Sequence, residues 1–532
     1  MTSRAHSPLL LVTRRLLTLA MGILVAAAML ATFPAAARAE DNDDAIQSEW
    51  EDARTLSHAF TPKQYDGSMY YVTQVITGAG EFWNDGYTGE GIDVALIDTG
   101  VVPVNGLTYK NKVVNGPDLS FESQDPDLRY LDTFGHGTHL AGIIAGRDDN
   151  VYKIQKGEEA KFIGMAPGAR LVNVKVADSN GTVDVTQVIA AIDWVVQHRR
   201  DNGMNIRVIN LAYGTTGVQS YQIDPLAHAI ENAWRAGIVV VVAAGNDGNG
   251  SALRNPAIDP YVIAVGATDS DGTDYKAADD RVAAFSNCGT SARRVDIVAP
   301  GKSIVSLRNP GSAADQGYPK ARVEDRFFLG SGTSQASAVV SGGVALLLDQ
   351  RPDLNPDMVK ALLMETATTL TNAKSTCQGA GIINLKVARD TDSFKAKQTF
   401  KASEGKGSLE AARGDAHVEL DGSVLKGELD IFGTPWNAEK WAKYSANQVA
   451  WDGGDWNGST WTGGDWSGLS WSGLSWSGLS WSGLSWSGLS WSGLSWSSNT
   501  WNGLSWSGLS WSGLSWSGLS WSTDVWTGLS WK

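Results

Sequence analysis

Phe328-Leu329-Gly330-Ser331-Gly332-Thr333-Ser334-Gln335-Ala336-Ser337-Ala338 decides how this chain is read. Small residues lead into Ser334, and the run from Ala336 to Leu348 is helical in composition, rich in Ala, Ser, Gly and Val. It ends before Arg351-Pro352, because the residue before a proline disfavours the helical region. The pattern predicts a buried helix opening from a glycine turn, with Ser334 at its mouth. A hydroxyl there has the positive end of the helix dipole behind it and free backbone N–H groups around it. Such a place suits a nucleophile whose reaction puts negative charge on a neighbouring oxygen. Taken alone, Gly-Thr-Ser before a helix is more often a simple N-cap. What stands elsewhere in the chain decides between the two.

Outward from this stretch, apolar strands alternate with amphipathic helices. Ile92 to Ile97 reads as a buried strand ending at Asp98-Thr99-Gly100. Leu171 to Val176, Val208 to Leu211, Tyr261 to Ala267 and Val295 to Ala299 read as further strands. Ile238 to Ala244 is so apolar that both its faces must be covered. Val185, Val188, Ile189, Ile192, Val195 and Val196 recur at helical spacing, and Leu226 to Arg235 forms a second helix closed by Gly237. The expectation is an α/β domain over 75–390, with a mainly parallel sheet and helices on both faces. Ligands of such sheets bind at the carboxyl ends of the strands. Asp98 and Ala243-Ala244-Gly245-Asn246-Asp247-Gly248 stand at such ends, so the pattern permits them to meet Ser334 on one edge.

A base is supplied by Asp132-Thr133-Phe134-Gly135-His136-Gly137-Thr138-His139. Glycine lets backbone and substrate approach closely, and a histidine between two glycines at a helix start is poorly explained as packing. His136 is therefore a candidate general base. His139 falls inside the helix and is expected to serve packing or to support the site from behind.

At this point the chain resembles a family, the subtilisin-like serine proteases or subtilases (peptidase family S8). Three motifs carry the resemblance: Ala95-Leu96-Ile97-Asp98-Thr99-Gly100, Gly135-His136-Gly137-Thr138-His139 and Gly332-Thr333-Ser334-Gln335-Ala336. They come in the family's order of acid, histidine, serine. The resemblance implies a subtilisin-like fold with catalytic Asp98, His136 and Ser334, and Asn246 as the oxyanion-hole donor. It also implies a cleft walled by Ala212-Tyr213-Gly214 on one side and Ala243-Ala244-Gly245 on the other. Small wall residues suggest a large apolar P1 side chain. Tyr213 departs from the family's usual leucine. Gln335 departs from its usual methionine, a change expected at a partly exposed site. No cofactor is implied beyond calcium, for which Asp148, Asp149, Glu158 and Glu159 are candidates, although a solvated acidic loop is the plainer reading. The family usually carries a folded pro-domain, and the short N-terminal segment 40–74 is too small to be one.

The flanks point outside the cell. Residues 1–39 read as a signal peptide, with Arg4, Arg14 and Arg15 before an apolar run from Leu16 to about Phe33 and Ala37-Arg38-Ala39 at the cleavage site. Removing its four arginines takes the net charge from −14 to −18, which argues for solubility and against a nucleic-acid partner. No membrane role is expected after cleavage, and the product is expected to be secreted, extracellular or bound to the cell wall. Cys288 and Cys377 either pair, as an exported protein allows, or remain two isolated buried thiols.

Residues 391–450 read as a linker or small β segment. Then tryptophan recurs every fifth residue from Trp451 to Trp531, in the unit Trp-Ser-Gly-Leu-Ser. A period of five fits neither a helix face nor a flat strand, so each repeat should hold its own bend at Ser-Gly. Stacked repeats over 451–532 would make a pentapeptide-like β-solenoid, the alternative being an unfolded Gly/Ser tail. Similar Trp-Ser-Gly tails accompany some secreted actinobacterial subtilases, and cell-wall polymer is the expected ligand of exposed rings. On this reading the array is separable from catalysis. A chain cut after Ala412 should fold and cleave a small peptide. The competing reading is a catalytically weak surface-binding protein on a protease scaffold.

Overall fold

The computed structural model describes residues 67–461, apart from 110, 126, 149–150, 154–160, 271–276, 278–279, 393–394 and 421–422. Residues 1–66, with the expected signal peptide, and the array from 462 onward lie outside the described residues, as do Asp149, Glu158 and Glu159.

Eight strands form the main sheet: β1 (Asp93–Asp98), β2 (Val113–Asp118), β3 (Arg170–Lys175), β4 (Ile206–Leu211), β5 (Val239–Ala243), β6 (Ile263–Asp269), β7 (Arg281–Val282) and β8 (Ile297–Pro300). Their order is β2-β3-β1-β4-β5-β6-β7, with β8 also paired to β6. Every pairing is parallel except β6 with β7. β5 is Val-Val-Val-Val-Ala and wholly buried, as its composition demanded. Branched side chains suit an extended backbone, and a strand apolar on both faces must be covered on both.

Four helices pack on this sheet: α1 (His136–Ala145), α2 (Val185–His198), α3 (Pro225–Arg235) and α4 (Thr333–Gln350). α2 opens with a capping box between Asp184 and Gln187, and α3 with Asp224 as N-cap and Pro225 at its first turn. Both are sequence signals of a helix start. α4 is buried from Thr333 to Leu348 and packs on α1 and on β4, β5 and β6.

The domain runs wider than expected at both ends. Its start lies before residue 75: Val305 N–H donates to Gly67 O at 2.8 Å, and Met69, Tyr71 and Val72 are buried. The segment 391–450, expected as a linker or small β segment, holds a small antiparallel pair, Glu419–Leu420 with Ser423–Val424, and more besides. A fifth helix, α5 (Ala438–Ala446), lies on α3, and three two-residue strands, Trp451–Asp452, Asp455–Trp456 and Ser459–Thr460, form a meander beyond it. The first two pentads thus each hold a bend, the second at Asn457-Gly458 with φ of +52° and +88°.

The rings of this region face inward. Trp441, Trp451 and Trp456 are at most 2% exposed. Asp193 of α2 anchors them: its Oδ2 accepts from Trp441 Nε1 at 2.9 Å and Trp456 Nε1 at 3.0 Å, and its Oδ1 from Ser445 Oγ at 2.5 Å. Burial pushes the Asp193 carboxyl up to about 6. Trp451 Nε1 donates to Ala190 O at 2.9 Å. Arg413 Nε meets Asp184 Oδ2 at 2.6 Å, with both side chains fully buried. A cut after Ala412 therefore passes through the core, and the first two tryptophans of the array, Trp451 and Trp456, are buried.

Cys288 and Cys377 form a disulfide, so the pairing alternative holds. Among the described residues no helix is long and apolar enough to cross a membrane.

Candidate active site

β1 delivers Asp98 at its carboxyl end, buried to 1% exposure. His136 is the first residue of α1, reached through Gly135 at φ +107°. His136 Nδ1 lies 2.8 Å from Asp98 Oδ1 and 3.0 Å from Oδ2. A carboxylate only accepts, so this contact assigns the imidazole proton to Nδ1 and makes Nε2 the basic nitrogen. Gly137 is required here: a β-carbon would come 2.1 Å from Gly100 O and 3.1 Å from Asp98 Oδ1.

Asp132 and Thr99, to which the motifs assigned no role, hold this pair. Asp132 Oδ1 accepts from Thr99 Oγ1 at 2.7 Å and Gly135 N–H at 2.6 Å, and its Oδ2 from Thr138 N–H at 2.8 Å. Thr99 Oγ1 in turn accepts from Gly137 N–H at 2.8 Å. Asp132 thus caps the opening turn of α1 and ties it to the end of β1. Burial raises its carboxyl above the usual range, against the hydrogen bonds that lower it. An acid four residues before His136 was the signal for it.

Ser334 lies in the first turn of α4 and is 2% exposed. Thr333, just before it, donates from N and from Oγ1 to Asn246 Oδ1, both at 2.9 Å. Gly245 N–H donates to Thr333 Oγ1 at 3.2 Å. With its oxygen held by Thr333, the Asn246 amide is oriented so that its NH2 is the donor end. These bonds lock the loop after β5 to the mouth of α4.

The two proposed walls are the ends of adjacent paired strands, Ala212-Tyr213-Gly214 after β4 and Ala243-Ala244-Gly245 at the end of β5. Tyr213 is 3% exposed and turned inward. Burial raises its hydroxyl well above the ordinary value, with further effects from Asp184 and Arg413. Arg413 and Asp415, beyond residue 390, are among the charges that act on it.

Gln335 is not partly exposed but fully buried, and neither end of its amide meets a hydrogen-bond partner among the described residues. A buried unsatisfied polar group costs about 1–3 kcal/mol. Gln335→Met keeps the volume and removes both, so its denaturant midpoint should rise by the equivalent of about 1–3 kcal/mol. An unchanged or lower midpoint would show that the amide is satisfied in solution.

His139 behaves as expected of a packing residue. Its Nε2 faces Ile304 O at 3.2 Å and Phe328 O at 3.1 Å, which ties α1 to β9 (Ile304–Leu307) and to the strand Phe327–Gly330. Burial lowers its pKa from 6.5 to about 3. Between those values the unfolded chain binds a proton that the folded chain does not. Stability should fall by about 1.4 kcal/mol per pH unit as pH drops below 6.5. Urea melts of wild type and His139→Gln at pH 7.5, 6 and 5 test this, and the gap between them should close as pH falls. A gap independent of pH would mean that His139 titrates normally.

Asp148, the one described member of the calcium set, accepts from Phe162 N–H at 2.9 Å and pairs with Arg326. Among the described residues no cluster of His, Cys, Asp or Glu is arranged to hold a metal ion.

The sequence is similar to those of known proteins. Residues 89–381 match the peptidase S8 subtilase family. The chain is 36% identical over 304 residues to serine protease AprX of Bacillus subtilis (strain 168), covering 56% of this chain and 66% of that protein. It is 31% identical over 324 residues to the minor extracellular protease Epr of the same organism, covering 60% of this chain and 42% of that protein. The chain therefore spans just under two thirds of the first and under half of the second. Subtilisin DY of Bacillus licheniformis is 33% identical over 307 residues, covering 57% of this chain and 92% of that protein. The family match covers more than half the sequence and includes Asp98, His136, Asn246 and Ser334, and the chain belongs to the subtilase family.

Proposed function

We propose that the protein is a secreted serine endopeptidase that hydrolyses peptide bonds through an acyl-enzyme intermediate. The observation that carries this is the buried Asp98–His136 contact at 2.8 Å. Ser334 Oγ attacks the peptide carbonyl while His136 Nε2 takes its proton. Asp98 holds the ring in that tautomer and stabilises the imidazolium. The Asn246 NH2 and the Ser334 N–H bind the oxyanion of the tetrahedral intermediate. The proton on His136 then passes to the leaving amine, and water repeats the sequence on the acyl-enzyme. No cofactor enters these steps, and calcium would act only on stability.

Export is supported by residues 1–39, by the disulfide and by the extracellular relative. Proteins or peptides are the substrates. The array beyond residue 461 is the part left to bind cell-wall polymer, in keeping with the actinobacterial enzymes whose tails it resembles. A fluorophosphonate probe tests the central reading: wild type should be labelled at Ser334, and folded wild type that resists labelling would refute it.

Asn246→Ala should lower kcat far more than it raises KM, by about 2.7–4 kcal/mol of transition-state stabilisation, the size known for a subtilisin oxyanion asparagine. Steady-state kinetics on a chromogenic peptide measure it. A pure KM effect would mean that Asn246 only positions substrate.

A further inference from the structure

Arg254 stands between the two walls of the proposed cleft. Its N–H donates to Ala244 O at 3.1 Å, and the next residue, Asn255, exchanges hydrogen bonds of 2.9 and 3.0 Å with Thr215. Residues 254–255 therefore bridge the carboxyl ends of β4 and β5 and floor the space between them. Both wall glycines turn their open sides on the arginine. A β-carbon at Gly214 would lie 2.7 Å from Arg254 Cβ, and one at Gly245 would lie 2.6 Å from Arg254 Cγ. The aliphatic stem already fills that volume.

The stem is clamped at its far end. Arg254 Nε donates to Asp247 Oδ2 at 2.6 Å, and Nη2 pairs with the other oxygen of the same carboxylate. Asp247 is held in turn: its Oδ2 accepts from Asn287 Nδ2 at 2.9 Å, and its N–H donates to Asn287 Oδ1 at 2.6 Å. A forked guanidinium–carboxylate pair fixes orientation as well as charge. A second carboxylate, Asp415, lies 3.7 Å from Nη1 and is 57% exposed. It belongs to the segment beyond the family match, so that segment reaches the cleft as well as the core.

We propose that Arg254 sets the P1 specificity: its clamped stem closes the cleft between Gly214 and Gly245, so the protein takes short P1 side chains such as Ala or Ser and rejects Phe, Tyr and Leu. This rests on the peptidase reading above and reverses the expectation of a large apolar P1. A bulky P1 group must either displace the stem and break the pair with Asp247 or stop short of the carbonyl geometry that Ser334 needs. Misplacing the reacting carbonyl by an ångström is enough to lose about 100-fold.

The test compares kcat/KM on succinyl-Ala-Ala-Pro-X-p-nitroanilides with X as Ala, Ser, Glu, Leu and Phe. Wild type should favour Ala over Phe by at least about tenfold, and Arg254→Ala should move the Phe/Ala ratio by at least about tenfold toward Phe. Asp415→Ala, which loosens the clamp from an exposed position, should move it the same way by less. This second variant keeps the test decisive if Arg254→Ala fails to melt cooperatively. Wild type that prefers Phe or Leu, or a ratio unmoved in both variants, would overturn the proposal. A preference for Glu lost in Arg254→Ala would also overturn it, by making the arginine a reader of charge. Folded wild type that cleaves none of the peptides and takes no fluorophosphonate would instead sink the peptidase reading itself.

Discussion

Ser334→Ala should abolish fluorophosphonate labelling and lower kcat on a small peptide by about 10⁴-fold or more, because nucleophile and base act as a unit. The residual rate should come from the oxyanion donors and from substrate binding alone. The fold should survive. The change removes one hydroxyl from a residue 2% exposed and leaves no charge unpaired. The Ser334 carbonyl keeps its hydrogen bond from Ser337 Oγ, and Thr333 keeps both of its bonds to Asn246. Circular dichroism and a melting curve close to wild type, beside lost turnover, make the expected pair of results. Turnover near wild type in a folded variant would remove Ser334 from the mechanism.

A chain ending at Ala412 should fail to fold, the opposite of what composition suggested. The cut removes Trp441, Trp451 and Trp456, each at most 2% exposed. Truncating a single buried aromatic costs about 3–5 kcal/mol, and a domain holds only about 5–15 kcal/mol in all. The cut also strands two carboxylates. Asp184 loses Arg413, and Asp193 loses the three donors that Trp441, Trp456 and Ser445 bring to it. Removing one partner of a buried pair leaves an uncompensated charge, which costs about 3–5 kcal/mol. Expression should yield insoluble or non-cooperatively melting protein without peptidase activity. A chain ending just after Trp461 keeps every one of these contacts. It should melt like the full-length protein and cleave a small peptide at a similar rate. Pull-down on insoluble cell-wall polymer then belongs to this longer chain, since only the array beyond it has been removed. A soluble, active chain ending at Ala412 would show that the segment is dispensable.

The site is largely legible in the sequence because its signals are local. A glycine on either side of His136, a small-residue run after Ser334 and an acid at the end of an apolar strand each state a backbone geometry within a few residues. Strand and helix positions follow for the same reason. β5 has four successive valines, and α2 carries its apolar stripe in its own fourteen residues and its capping box between Gln187 and Asp184 just before them. Side-chain period and capping are short-range physics, so the chain states them residue by residue.

What only the tertiary structure decided are the facts of burial, because burial depends on what comes to cover a residue. Trp441 and Trp456 meet Asp193 across 248 and 263 residues, and nothing near α2 announces them. A tryptophan period looks the same whether its rings face solvent or a core. Gln335 read as partly exposed, yet α4 is buried from Thr333 to Leu348. Ala212-Tyr213-Gly214 and Ala243-Ala244-Gly245 spell an open cleft in sequence. The stem of Arg254 lies against both glycines, brought there by its hydrogen bond to Ala244 and by its neighbour's bonds to Thr215. Periodicity and capping settle which way a backbone runs, but the volume left beside it is set by side chains that arrive from far along the chain.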